Sequence, residues 1–291
     1  MKSIETKILL KLHESVTLPT LLYSAETWEL NKGDKKEINK IEIWSLKQML
    51  GLPTTTPTPA VIFATGMLYA TIRVEMKQLL YLHQLLQKEN EHWAQVALNL
   101  MDRNNAGWAK TIRTTLEAWA LEERWELIAK KTKLEWKREV EDAAERVNRE
   151  MLKNDCLTKE RGETKQKSKT KTIIDELEKT NYRRKPLDAF QQGSVVVARA
   201  CIMGRYGMLK CKDNFSYGSK LRECDTCRVK DDEDHRINGC ILYRTINLYD
   251  SNEKINFHDI YSEKTDEVSK VVDIILRLWD LGTGRNEMRN P

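Results

Sequence analysis

Four side chains near the C-terminal end have the types and spacing for metal chemistry. They are Cys224, Cys227, His235 and Cys240, in the pattern C-x2-C-x7-H-x4-C. Three thiolates and one imidazole make a closed tetrahedral ligand set, and soft sulfur donors favour zinc. The short Cys-to-Cys spacing lets one tight turn aim both sulfurs at a common point. His235 and Cys240 can close the shell from one further turn of chain, and Gly239 eases the backbone there. The expectation is one structural Zn²⁺, because four protein ligands leave no position for a reactive water. So short a module has little core of its own, so the metal would supply much of its folding energy. Two other readings of the same residues stay open. A redox Cys-x-x-Cys needs a strand–helix setting that the sequence does not offer. The other is a chance grouping of thiols. Cys201 and Cys211 are alternative ligands at irregular spacing, and Cys156 reads as an ordinary thiol.

The metal loop itself is not a phosphate-seeking surface. Residues 220–240 carry five bases and six acids, and the acids Asp231, Asp232, Glu233 and Asp234 sit inside the loop. Three thiolates on one Zn²⁺ add a further negative charge. Positive charge lies elsewhere. The whole chain of 291 residues has a net charge of +5, and residues 151–185 alone hold eleven bases against six acids, the same excess. Residues 158–172 contain no large apolar side chain, so they cannot offset their own ordering entropy and read as a solvated tether. If this arm touches phosphates, Lys165, Lys167, Lys169, Lys171, Arg183, Arg184 and Lys185 are the candidates. Arg199, Arg205, Tyr206, Lys210 and Lys212 form a second candidate surface on the helix before the cysteines. An aromatic among bases suits single-stranded nucleic acid, although an ordinary amphipathic helix explains the same residues.

The elements that position these groups read as mainly α. Gly (12) and Pro (6) are scarce, which disfavours sandwiches and barrels. Charged residues make up 32% of the chain, which suits long, solvent-washed helices. Four segments are expected: 1–52, 53–157, 158–185 and 186–291. The first holds a helix over 4–16, an apolar run over 18–30 and a helix over 34–50. Gly51 and Pro53 stop the last of these. Ile38, Ile41, Trp44 and Met49 lie roughly on one face of it, which implies a partner surface. Three prolines in residues 53–59 mark an extended connector. From 60 to 154 the pattern is helical, with a stripe at Leu68, Ile72, Met76, Leu79, Leu82 and Leu86 and a break near Asn104, Asn105 and Gly107. The run from 118 to 154 has almost no breaker, and its apolar positions thin toward the end, which predicts growing exposure. Residues 158–185 are the flexible basic linker. Residues 186–291 are a small zinc-stabilised module with flanking helices, the last over 266–281.

Two segments resemble a known family. Residues 18–30, LPTLLYSAETWEL, are similar to the thumb-region signature of reverse transcriptases from non-LTR, LINE-type retrotransposons. VARACIMGRYGMLK, followed by the Cys/His set and then Tyr243 and Arg244, resembles the C-terminal CCHC zinc knuckle of the same polyproteins. The order of the two segments and the helical stretch between them match as well. Ser24 stands where the first signature has glycine after its tyrosine. Asp232 keeps an acid common before the histidine, and Arg236 and Asn238 occupy positions that are usually apolar. The resemblance implies a thumb end, a helical connector and a knuckle that help hold template RNA and target DNA during target-primed reverse transcription. It also implies the polymerase portion of the parent protein as a partner.

Catalysis is not expected of these residues. A two-metal polymerase site needs paired carboxylates on a palm hairpin, and the one Asp-Asp pair, Asp231-Asp232, lies in the zinc loop. No endonuclease signature follows Tyr243 and Arg244. The competing function is a zinc-stabilised helical protein-interaction module with no nucleic-acid role. The histidines His13, His83, His92 and His258 read as packing or surface residues, and the tryptophans as core rather than base-stacking platforms. No apolar stretch approaches the roughly 20 residues of a membrane span. The charged start is not that of a signal peptide. The expected location is therefore intracellular, nuclear or cytoplasmic, with no membrane partner.

Overall fold

The computed structural model describes residues 5–89 and 91–158, with residues 173, 174, 177, 178, 195, 198, 199, 202, 224, 227–230 and 235. The described residues are mainly helical, as the composition predicts, and no strand occurs among them. α1 (Thr6–Leu12) runs into a π-helical turn (His13–Thr17) and then α2 (Leu18–Leu21). Chain polarity therefore stays helical past the expected stop near Val16. Pro19 is the reason for the widened turn: its ring crowds the carbonyl one turn back, and a π turn makes room. Thr20 Oγ1 donates to the Val16 carbonyl at 2.8 Å.

Ser24 follows at φ 55°, ψ 20°, a left-handed conformation that side chains rarely adopt. It turns the chain so that residues 22–28 lie along α5 (Ala70–Leu86). Lys77 Nζ donates to the Leu22 carbonyl at 2.8 Å, and Gln78 Nε2 to the Trp28 carbonyl at 2.7 Å. Leu18, Leu22 and Ala25 pack against Ala70 and Val74.

α3 (Lys32–Met49) opens with a capping box. Asn31 Oδ1 accepts from the Gly33 and Asp34 amides, and Asp34 Oδ2 accepts from the Asn31 amide. It closes at Gly51, φ 61°, with the Leu52 amide bonded to the Lys47 carbonyl at 2.8 Å. Its core-facing side is a different face from the one that carries Ile41 and Trp44. Ile43, Leu46 and Leu50 are buried, together with Glu42 and Lys47, whereas Ile41 and Trp44 are 48% and 58% exposed. The inward stripe carries polar side chains with structural bonds, Glu42 to the Ala70 amide and Lys47 to the Thr54 carbonyl, which apolar spacing alone does not reveal.

The prolines after it begin a helix rather than a linker. Pro57 caps α4 (Thr58–Thr65) and Pro59 lies in its first turn, where a missing N–H costs nothing. Residues on both sides of 53–59, Leu50, Leu52, Ala60 and Val61 among them, belong to one apolar cluster.

α5 is the centre of the helical block. It packs against α3, α6 (Trp93–Arg103), α7 (Gly107–Ala118), α8 (Trp125–Lys130) and α9 (Lys133–Thr158). The expected stripe holds: Leu68, Ile72, Leu79 and Leu82 are buried, and Met76 and Leu86 pack against the same cluster. The break near Asn105 and Gly107 is real, with both residues left-handed. A second break, which the sequence hid, falls at Ala120, φ 50°, and separates α7 from α8.

α9 does not become increasingly exposed. Ala143, Ala144, Asn148, Leu152 and Cys156 continue its buried stripe to the end, with small side chains allowing close approach. Trp136 Nε1 donates to the Leu79 carbonyl at 2.9 Å, tying α9 to α5. Five of the tryptophans among the described residues pack inward or half-inward, and Trp44 and Trp93 face out.

The linker expectation fails at one point. Residues 173, 174, 177 and 178 are helical, and Ile173 and Leu177 are buried in the main cluster. Arg149 also donates to the Leu177 carbonyl. Ala198 and Ile202 dock in the same way.

The start of α5 is buried, and its amides are met by side chains from two other helices. The Ala70 amide donates to Glu42 Oε2 at 2.6 Å and the Thr71 amide to Asn39 Oδ1 at 3.0 Å, both from α3. The Tyr69 amide donates to Asn148 Oδ1 of α9 at 3.3 Å, and Tyr69 Oη donates to Asp155 Oδ2 at 2.7 Å. Arg73 Nε lies 4.0 Å from Glu42 Oε1. Burial pushes the Glu42 carboxyl up to about 7, against the opposing pull of Arg73 and the Ala70 amide. His13 is buried beside this group, and burial, with Arg73, holds its imidazole down at about 4.

Two measurements follow from these geometries. Ser24→Gly relieves a left-handed side chain and should stabilise the helical block by roughly 0.5–1 kcal/mol in urea unfolding. Destabilisation would contradict the turn described. For Glu42 the folded pKa lies above the ordinary one, so its contribution is present below pH 4.5 and is lost as pH rises through 7. Glu42→Gln removes that loss. The stability of the wild type relative to Glu42→Gln should fall across this window and level off above it. A pH-independent difference would show that the carboxyl titrates normally.

Candidate metal centre

The cysteine turn is built by the backbone before any ion is considered. The Cys224 amide donates to the Val229 carbonyl at 2.8 Å, and the Arg228 amide donates to the Cys224 carbonyl at 2.9 Å. These two bonds bring Arg228 and Val229 back against Cys224, and the sulfurs of Cys224 and Cys227 lie within 4.8 Å of each other. Closing the bend so tightly requires a left-handed residue directly after the second cysteine. Arg228 takes that position at φ 58°. A glycine there would have marked the turn in the sequence; an arginine gives no signal.

His235 comes to the same place. Cys224 and His235 are buried, Cys227 is half-buried, and the ligand atoms of all three lie within 4.8 Å of one another. Tetrahedral zinc with bonds of ~2.3 Å to sulfur and ~2.1 Å to nitrogen sets ligand atoms about 3.5–3.8 Å apart. The three groups are therefore near enough for one cation to draw them together with small side-chain rotations. The donor set, two thiols and an imidazole in a largely water-excluded bend, fits a soft-to-borderline divalent ion such as zinc. Cys240, expected as the fourth ligand, lies outside the described residues.

The expected nucleic-acid contacts are placed only in part. Arg199 is described, and its guanidinium lies beside Gly51, with Nη1 3.7 Å from where a Cβ on that glycine would be. That is the C-terminal end of α3, where the helix dipole favours a cation. Lys165, Lys167, Lys169, Lys171, Arg183, Arg184, Lys185, Arg205, Tyr206, Lys210 and Lys212 lie outside the described residues.

The remaining histidines within reach are structural. His83 Nε2 meets the Lys131 carbonyl at 2.9 Å, and His92 caps α6 by accepting the Ala94 amide at 3.2 Å. No second His/Cys/Asp/Glu grouping of metal-binding geometry occurs among the described residues. No helix among them is long and apolar enough to cross a membrane.

The chain matches no known family, no curated protein and no solved structure.

Metal analysis of purified protein should give about one zinc per chain. Cys224→Ser or His235→Ala should release it and increase proteolysis within 186–291, while α5 and α9 keep their helical signal. Protein purified without zinc, and unchanged in protease sensitivity when zinc is added, would contradict a structural ion.

Proposed function

We propose that this chain is a non-catalytic nucleic-acid-binding region of a LINE-type reverse transcriptase, comprising a thumb end, a helical connector and a zinc knuckle. The observation that carries the reading is the convergence of Cys224, Cys227 and His235 on one small volume around a left-handed bend. A second observation supports it at the other end of the chain. Ser24 occupies the position where the resembling signature has glycine, and its backbone is left-handed, the conformation for which glycine is favoured. The local backbone thus gives a physical reason for that glycine.

In this reading the zinc fixes the fold of the C-terminal module and performs no chemistry. Its remaining ligand is Cys240, and the closed shell leaves no site for water. The helical block supplies a rigid body. RNA or target DNA is held by Lys165, Lys167, Lys169 and Lys171, with Arg183, Arg184, Lys185, Arg205, Tyr206, Lys210 and Lys212 as further contacts. Arg199 has its charge against the end of α3, so its part is to dock the helix that carries the others. Polymerisation belongs to the palm of the parent protein, which is the natural partner of this region.

One observation favours the competing reading of a zinc-stabilised protein-interaction module. α1 and the π turn present Ile8, Leu12 and Val16 to solvent at spacings of four, an apolar stripe without a cover among the described residues.

Salt and charge separate the two. Four phosphate contacts from the lysine arm predict a roughly 50-fold loss of affinity for single-stranded RNA between 50 and 200 mM salt. Reversing Lys165, Lys167, Lys169 and Lys171 to Glu should remove most of the binding at low salt. RNA affinity that is absent, or indifferent to both changes, would defeat the nucleic-acid reading and leave the interaction module.

A further inference from the structure

α6 is apolar on two sides. Its inner side packs into the main cluster through Ala94, Leu98 and Met101. Its outer side shows Trp93, Val96 and Leu100 to solvent, 77%, 43% and 54% exposed. Spacings of three and four put these side chains in one row. From Trp93 to Met101 the helix carries no charged residue. A surface helix normally keeps a polar outer face, and one that is apolar all round belongs in an interior. The outer side of α6 therefore lacks a cover among the described residues. The row is also held ready for one. His92 Nδ1 accepts the Ala94 amide at 3.2 Å, and Trp93 stacks on that fixed imidazole, with ring centroids 5.8 Å apart and planes 26° apart. The indole is anchored while it stays largely exposed, so little freedom is lost when it is covered.

The charges at the two ends of the row select the occupant. Ahead of α6, Glu89 and Glu91 are exposed, with Lys88 beside them. At the far end Arg103 is exposed, and so is Lys110 in the first turn of α7, just past the 104–106 connection. No ion pair or side-chain hydrogen bond among the described residues engages Glu89, Glu91, Arg103 or Lys110. The near end is acidic on balance and the far end basic, so the row is complementary to its own reverse. Its contact residues share that symmetry. Val96 and Leu100 each lie two residues from Leu98, and Trp93 and Arg103 each lie five. One antiparallel register centred at the level of Leu98 therefore sets Val96 against Leu100 twice and Trp93 against Arg103 twice. Ala97, half-buried beside the row, is small enough to let two helices approach closely there.

We infer that a second copy of this chain covers the row, with the two α6 helices antiparallel about a two-fold axis. Such an interface is made of one patch meeting itself, as closed dimers require. Its centre is the Val96 and Leu100 contacts. Each Trp93 receives the guanidinium of Arg103 from the other copy on its ring, and Glu91 lies within reach of the same charge. A parallel pair would set acid against acid and base against base, which is repulsive. The seam is only about 15 Å long, from the rise of an eleven-residue helix. That is less than a standard interface of about 1,600 Å² needs, so the dimer is weak, with a dissociation constant on the order of 10–100 μM. It requires neither the zinc centre nor nucleic acid and goes beyond the function proposed above.

The test is sedimentation velocity of the full chain, with zinc and reductant present and nucleic acid removed, from about 1 to 500 μM so as to bracket that constant. The protein should pass from monomer to dimer over this range. Trp93→Ala should weaken association about tenfold, and Leu100→Lys, which puts two charges in the seam, should abolish it. The substituted side chains are exposed, so the helical signal should stay intact. Arg103→Glu should weaken the dimer about tenfold, and Glu91→Lys added to it should recover part of that loss, because the acidic and basic ends have changed places. Leu12→Lys, on the exposed stripe of α1, should leave the dimer unchanged. The inference is overturned if the chain is monomeric throughout, if Leu100→Lys dimerises like the wild type, if Leu12→Lys abolishes the dimer instead, or if the double charge exchange associates no better than Arg103→Glu alone.

Discussion

The buried start of the central helix is the constraint on which the helical block depends. A helix begins with amides that no turn of its own can satisfy, and burying them without partners is costly. Here the amides of Tyr69, Ala70 and Thr71 reach Asn148, Glu42 and Asn39, so three polar side chains on α3 and α9 fix the relative position of three helices. Tyr69 adds a second bond to α9 through Asp155. The arrangement puts a carboxyl, a guanidinium and an imidazole in or near an apolar core, with Glu42 and His13 both shifted toward their neutral forms by burial. The apolar cluster then closes around this polar joint, from Leu10 on α1 to Leu152 on α9 and on to Ile173, Leu177, Ala198 and Ile202.

How much of this the sequence disclosed follows from the kind of interaction at each place. The α5 stripe was legible because its buried positions are large and apolar and repeat at helical spacing. The end of α3 was legible because glycine marks a left-handed cap. The buried face of α3 was not, since Glu42 and Lys47 point inward to make hydrogen bonds, while Trp44 and Ile41 point out. The second half of α9 was misread for a related reason. Its inward positions are Ala143, Ala144 and Asn148, too small or too polar to register as a stripe. Left-handed residues that are not glycine, Ser24, Ala120 and Arg228, leave no mark at all, and each ends or bends an element. Pro57 and Pro59 carried the right signal, a break, but prolines that end one helix serve equally to begin the next.

At the candidate centre the ligand types and spacing were readable, because sulfur and imidazole at those intervals have few other uses. The bend that joins Cys224 to Cys227 was not, because its left-handed corner is an arginine. Ile173, Leu177, Ala198 and Ile202 pack into the apolar cluster of the helical block, so the chain between α9 and the cysteines is anchored at those points. A structural ion on Cys224, Cys227 and His235 would have a definite physical task, to close a short loop that is rich in acids.

X-ray absorption at the zinc edge of the purified full-length chain tests this directly. Cys224, Cys227, His235 and Cys240 around one ion predict about three sulfur neighbours near 2.3 Å and one nitrogen near 2.0 Å, with no oxygen in the coordination sphere. A spectrum dominated by oxygen and nitrogen neighbours, or one without a zinc edge, would mean that these side chains do not share an ion and that the proposed knuckle does not exist.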